Sequence, residues 1–327
     1  MSVKDKIIAL FNQKNELSVV EIVTLLDVSK QFVHRVLNSL LDEKLIIKIG
    51  KAPKTFYKLK EIETASLENN ETFEESKIAF LNQNFLVITE IGELLTGFDG
   101  FQNWCKKRKL PISKTLDEYI ITKQKYSKYF DKNNLISGLD KLKSTKGYDK
   151  IHLNELYYLD FYAIERFGKT RLGTILHYAK QGQNKMLMKM LINEIKNPIN
   201  LLIRVLDIDA IAFVPPTIKR ETQLMKVIEN GIKVNKPKIE IIKVGGIIPI
   251  PQKSLNKIEE RIANAENSFV IRGNVSFKNL LLIDDAVGSG STLNQIAGKI
   301  KSNGLAENII GLAIVGSYKG FDVITDV

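Results

Sequence analysis

Apolar positions along this chain change their period several times, and each change predicts an element. Leu280, Leu281, Leu282 and Ile283 run without interruption, the pattern of a parallel strand buried on both faces. Two carboxylates, Asp284 and Asp285, stand where such a strand ends. A loop follows, rich in small and hydroxyl residues: Ala286, Val287, Gly288, Ser289, Gly290, Ser291 and Thr292. Leu293, Ile296, Ala297 and Ile300 then recur at helical spacing, so a helix is predicted to start close to Thr292. Residues 208–224 predict a strand, a turn at Pro215 and Pro216, and another helix.

A different rhythm fills residues 1–60. Ile7, Ile8, Leu10 and Phe11 predict a short amphipathic helix, and Ser18 with Glu21 forms a capping box ahead of Ile22, Leu25 and Leu26. Ser29 is placed to cap a third helix, whose apolar stripe is Phe32, Val36 and Leu40 beside Val33, Leu37 and Leu41. Its opposite stripe is polar: Lys30, Gln31, His34, Arg35 and Asn38. Residues 45–60 predict two strands around a basic turn carrying Lys51 and Lys54. Residues 61–79, acidic and poor in apolar side chains, predict a linker. Over residues 80–150 apolar positions return at helical spacing, as in Leu135, Leu139 and Leu142, and predict a small basic helical segment. Phe101 and Trp104 beside Lys106, Lys107, Arg108 and Lys109 read either as a platform for stacking bases or, the stronger reading, as that segment's core.

Composition narrows the class. A chain of 327 residues allows two or three domains at about 150 residues each. The single cysteine, Cys105, excludes an internal disulfide and a cysteine-based metal site, and His34, His152 and His177 are too dispersed for a zinc constellation. The first ten residues are too polar for a signal peptide, and no stretch approaches the ~18 apolar residues of a membrane span, so a cytoplasmic protein without a membrane partner is expected. A net charge of +11 and a pI near 9.4 favour polyanionic partners, either nucleic acid or a phosphorylated ligand.

The chemistry concentrates at residues 284–292. A loop of small residues feeding a helix N-terminus presents free N–H groups and a positive dipole end, which suit a phosphate. Carboxylates at the strand tip suit sugar hydroxyls or a divalent cation instead. Together they point to a phosphorylated ribose. Here the sequence resembles the type I phosphoribosyltransferases, with Asp284 and Asp285 matching the family's acid pair and Ser289, Gly290, Ser291 and Thr292 its loop end. Ala286 and Gly288 depart from the family pattern, which more often has an aliphatic residue and a Thr. The resemblance implies that the acids bind the ribose hydroxyls of 5-phosphoribosyl-1-pyrophosphate (PRPP), that the loop binds its 5′-phosphate, and that Mg²⁺ accompanies the pyrophosphate.

Within that family the chain is similar to the ComF-type branch. Gln252, Leu255, Arg261, Asn264 and Phe269 match the segment before the PRPP motif, and Pro215, Pro216, Lys219, Arg220 and Gln223 match a Pro-rich turn and basic stretch. Residues 177–185 are similar to the Lys-x-x-Gly stretch that precedes the first core strand. The four-Cys zinc module with which ComF-type proteins commonly begin is missing. Lys219 and Arg220 are the candidates for pyrophosphate contact, with Asp284 and Asp285 as the other catalytic candidates. Residues 243–253, with two glycines, are the candidate lid. Arg261 reads equally as a phosphate support or as a helix-surface ion pair.

The first sixty residues resemble the winged-helix family, in whose fold the third helix enters the major groove. Gln31, His34, Arg35 and Asn38 would then face base edges, and Lys30, Lys51 and Lys54 phosphates. A winged helix used for protein contact is the alternative. The expected architecture is therefore α/β: a winged helix over residues 1–60, a linker over 61–79, a helical segment over 80–150 and a phosphoribosyltransferase-like parallel sheet flanked by helices over 151–327. Expected partners are DNA, PRPP or a nucleoside monophosphate, and a second copy in a homodimer. A ligand-responsive regulator, similar in architecture to bacterial purine repressors, leads the functional readings. A phosphoribosyltransferase with an unknown acceptor and a ComF-like DNA-handling or defence effector stand beside it.

Overall fold

The structure, a computed structural model, describes residues 3–43, 45–51, 54–59, 73–145, 147–216, 218, 220–244, 260 and 268–318. It is mixed α/β and divides into two compact units, Met1–Thr72 and Phe73–Val327.

The first unit contains α1 (Val3–Gln13), β1 (Leu17–Ser18), α2 (Val19–Leu26), α3 (Lys30–Asp42), β2 (Ile46–Lys51) and β3 (Lys54–Leu59). Its strands form an antiparallel sheet in the order β1-β3-β2. The capping box is present: Ser18 Oγ accepts from the Glu21 N–H at 3.3 Å while the Glu21 carboxylate accepts from the Ser18 N–H at 2.7 Å. Ser29 caps α3 by accepting from the Phe32 N–H. The core consists of Ile7, Phe11, Leu17, Ile22, Val33, Leu37, Leu40 and Tyr57, among others. Two residues expected there lie outside it. Phe32 is 39% exposed and Leu25 58%. In α3 the buried side is the 33-37-40 stripe, and position 32 is rotated about 100° off it.

The second unit begins with α4 (Glu75–Asn84), the hairpin β4 (Leu86–Ile88) and β5 (Leu94–Thr96), α5 (Gly97–Lys107), α6 (Ile112–Ser127), β6 (Ile136–Ser137) and α7 (Leu139–Ser144). Next come β7 (Glu155–Phe161), the small pair β8 (Ala163–Ile164) and β9 (Gly168–Lys169), α8 (Arg171–Gln181), α9 (Lys185–Val205) and β10 (Ala210–Phe213). After α10 (Leu224–Ile232), β11 (Glu240–Lys243) pairs antiparallel with β12 (Phe269–Arg272); β13 (Phe277–Val287), α11 (Ser291–Ser302) and β14 (Ala306–Gly316) complete the unit. The central sheet runs β10-β13-β14-β7-β6, parallel except for the edge strand β6. Leu280 to Ile283 are fully buried, because β13 has a parallel neighbour on each side and covered faces above and below.

One face is covered by α8, α9 and α10, through Ile175, Leu191, Ile195 and Ile228. The other is covered by α11 and by residues 73–150. The middle segment is therefore not a helical domain of its own. It contains strands, its first helix starts at Glu75, and Phe85, Phe101, Trp104 and Tyr119 share one core with Phe167, Leu280 and Leu282. A parallel sheet must have both faces covered, and this segment supplies the second cover. Phe101 and Trp104 are buried, so neither is presented for base stacking, while Lys106, Lys107, Arg108 and Lys109 are exposed. Among the described residues no helix is long and apolar enough to cross a membrane.

Candidate functional site

In parallel sheets, ligands bind in the crevice beyond the carboxyl ends of the strands. At this edge β13 parts from β10 early: the pairing stops at Phe213 with Ile283, one residue before Asp284. On the other side the ladder with β14 continues past both acids to Val287 with Gly316, so the acids lie within the last turn of ladder rather than beyond the strand. Asp284 and Asp285 thus sit where the strand has lost one neighbour and kept the other.

The loop then reverses sharply. Gly290 adopts φ +84°, a left-handed conformation, and α11 begins at Ser291. That conformation favours glycine, and a Cβ at position 290 would come 2.7 Å from Leu142 Cδ1, which would have to shift. Among the described residues no backbone carbonyl accepts from the amides of Gly288, Ser289 or Gly290. Ser289 and Ser291 are buried, their hydroxyls 3.1 Å apart, so they brace the loop from inside. Unbonded amides at the start of a three-turn helix form an anion-binding concavity.

Beside the loop the charges are balanced locally. Asp285, nearly buried, pairs with Lys180 Nζ at 2.5 Å. Burial, and then the adjacent Asp285 charge, push the Asp284 carboxyl up to about 7; Lys180 and the 2.8 Å bond from the Asp285 N–H pull the other way. A carboxyl raised in this direction keeps its proton well above the usual carboxylate range, and in that form it can donate as well as accept a hydrogen bond. Lys180, at the end of α8, was not among the residues expected in the site. The only signal for it is the residue 177–185 stretch.

Arg220 also converges on this helix end. Its guanidinium donates to the Lys180 carbonyl and, at 2.9 Å, to Gln181 Oε1, so in this arrangement it anchors the residue that pairs with Asp285. Lys219 and Arg261 lie outside the described residues, as do positions 245–253 of the candidate lid. Its first residue, Lys243, is fixed in β11 opposite Phe269, with its ammonium 5.5 Å from the Phe269 ring.

A second group at the same edge had no sequence signal. Tyr126, Tyr129, Phe161 and Tyr318 form an aromatic cluster with centroids 5.1–6.2 Å apart, and the Tyr129 and Tyr318 hydroxyls are bonded at 2.8 Å. These residues come from three parts of the chain, which no local pattern relates. Burial pushes the carboxyl of Asp160, at the end of β7, above the usual carboxylate range.

In the first unit Lys30, Gln31, His34, Arg35 and Asn38 are all exposed along α3. Lys51 and Lys54 are backbone register partners in the β2–β3 hairpin. Among the described residues no cluster of His, Cys, Asp and Glu is arranged to hold a metal ion. No protein-family model matches the chain, and no curated protein matches it.

Proposed function

We propose that the chain is a PRPP- or nucleotide-binding, phosphoribosyltransferase-like protein whose first unit is a winged helix that binds DNA, and that ligand binding regulates the DNA contact. The observation that carries the reading is the acid pair at the end of a buried parallel strand, leading through left-handed Gly290 into the N-terminus of α11. Loop amides take the 5′-phosphate, whose charge the helix dipole favours. Asp284 and Asp285 take the ribose hydroxyls, with Lys180 balancing their charge in the free protein. Mg²⁺ enters on the ligand's own pyrophosphate oxygens, beside the two carboxylates. On α3, Gln31, His34, Arg35 and Asn38 read bases while Lys30, with Lys51 and Lys54 on the hairpin, engages phosphates.

Titration calorimetry with PRPP and Mg²⁺, and separately with a nucleoside 5′-monophosphate, tests the ligand class. Saturable heat at one site per chain is the expected result. Absence of heat with both ligands on folded protein overturns the reading.

One observation favours a catalytic reading of the same site. The Tyr126, Tyr129, Phe161 and Tyr318 rings meet edge to face; Tyr126 and Phe161 are buried, and Tyr129, 44% exposed at the rim, offers a planar acceptor one aromatic face. Transfer would also require interactions stronger in the transition state than with bound PRPP. Ala286 and Gly288, where the family pattern has other residues, tilt the balance to a sensor. Pyrophosphate release from PRPP, lost when Asp284 and Asp285 are replaced, would decide for the enzyme.

A further inference from the structure

The phosphate loop is held by a strap, residues 138–145 and 147–152, from the segment that closes the second face of the sheet. Leu142 packs against Gly290, its Cδ1 2.7 Å from where a Cβ would stand. The Tyr148 hydroxyl donates to the Ser289 carbonyl at 2.9 Å. Asn294, fully buried in α11, accepts from the His152 N–H at 2.7 Å and donates to the Lys150 carbonyl at 2.9 Å. These contacts account for the loop's shape without any charged group.

Lys141 is a different matter. Its Nζ donates to the Ser317 carbonyl at 2.8 Å and to Ser317 Oγ at 2.5 Å, and the Ser317 N–H in turn donates to the carbonyl of Val287, where the loop begins. An ammonium has three donors, so among the described residues one remains without a partner. The titratable groups toward the carboxyl ends of the strands around it are Tyr158 and Asp160 on β7, Asp284 and Asp285 on β13, and Tyr318 beyond β14, with Asp140 and Lys143 on α7 and Tyr148 further along the strap. Among the described residues none of them pairs with Lys141, and Asp285 is taken by Lys180. A partly desolvated cation without a counter-ion is costly, and the next residue along the strap, Leu142, touches Gly290 of the loop whose amides have no backbone acceptor among the described residues. The two deficits are complementary, and one anion would satisfy both.

We propose that Lys141 contacts the anion bound by the Gly288–Ser291 loop, as a charged arm delivered by the strap that also holds the loop in shape. The inference rests on the reading of that loop as a phosphate site. It assigns the middle segment a direct part in ligand recognition.

Burial holds the free Lys141 ammonium down to about 8, so it is both charged at neutral pH and unusually reactive as an amine. A bound anion favours the charged form, so affinity is present below about pH 8 and weakens as pH rises through that value. Two measurements on the full chain test the assignment. In the first, lysine acylation is followed site by site by mass spectrometry, with and without inorganic phosphate or PRPP. Loss of labelling at Lys141 with either anion, while Lys106 and Lys109 label unchanged, is expected. In the second, PRPP affinity is measured from pH 6.5 to 9. Lys141→Met should weaken it by about tenfold or more. Lys141→Arg should keep binding and remove the decline centred near 8, which a merely structural lysine would not produce.

Unchanged Lys141 labelling with both anions overturns the inference. So does Lys141→Met binding PRPP like wild type, which leaves the PRPP reading intact. Protection by phosphate in a protein that takes no PRPP sustains the Lys141 contact and sinks the PRPP reading instead.

Discussion

Replacing Asp284 by Asn is expected to make the protein more stable at neutral and alkaline pH while removing PRPP binding. The Asp284 carboxyl is raised from 3.8 to about 7 in the folded chain, so the native state holds this proton more tightly than the unfolded state does. Below about pH 3.8 both states are protonated and the group's contribution is fully present. As pH rises toward 7 the unfolded chain ionises first, and native stability falls; above 7 the penalty is constant. Its size is on the order of 4 kcal/mol, since each of the roughly three pH units between the two values corresponds to about 1.4 kcal/mol. Asn keeps the oxygen that accepts from the Asp285 N–H and carries no charge to desolvate. Thermal melts at pH 4.5 and pH 8 check this: the gain should be large at pH 8 and mostly gone at pH 4.5. Asp285→Asn should go the other way, because it strips Lys180 of its partner. A variant that gains equally at both pH values, or loses at pH 8, would contradict the electrostatic account of the site. Stability gained together with binding lost is the signature of a group kept for function.

On DNA the largest single effect is expected from Arg35→Ala. If Arg35 makes a bidentate contact to a base edge, its loss reduces discrimination between sequences by about 1–3 kcal/mol and leaves non-specific binding nearly intact. Lysine changes should act on a different quantity. Each phosphate neutralised contributes about 0.9 to the slope of log affinity against log salt, so replacing Lys51 and Lys54 together by Ala should flatten it by nearly two. Fluorescence anisotropy over a salt series separates the two effects. Variants that bind like wild type in both respects would remove α3 and the hairpin from the interface and redirect attention to the exposed Lys106–Lys109 surface.

Much of the site's local structure was legible because its signals are short-range. The apolar run at 280–283, the acids and the glycine-containing loop lie within a dozen residues, and local periodicity reports on such neighbours. The same holds for the capping box at Ser18 and Glu21 and for the hairpin at 46–59. What was illegible comes from afar. Lys180 reaches Asp285 across more than a hundred residues, and Lys141 is joined to Ser317 by 176. The aromatic cluster has the same origin. The role of residues 73–150 was hidden for a related reason: a helix that covers a sheet and a helix in a free-standing bundle show the same apolar spacing. Phe32 and Leu25 show the limit of periodicity itself, since at the margin of a stripe one rotation step decides between core and surface.

The account joins a ligand site in one unit to DNA binding in the other, and that linkage is the claim to test. DNA affinity measured by anisotropy across a PRPP titration, with Mg²⁺ and at constant salt, reads it directly. The account predicts a saturable change in DNA affinity, about 5- to 150-fold if the coupling has the usual 1–3 kcal/mol, and no change in protein carrying Asp284→Asn and Asp285→Asn. A DNA affinity that stays constant through saturating PRPP, in a protein that binds both ligands, would contradict it.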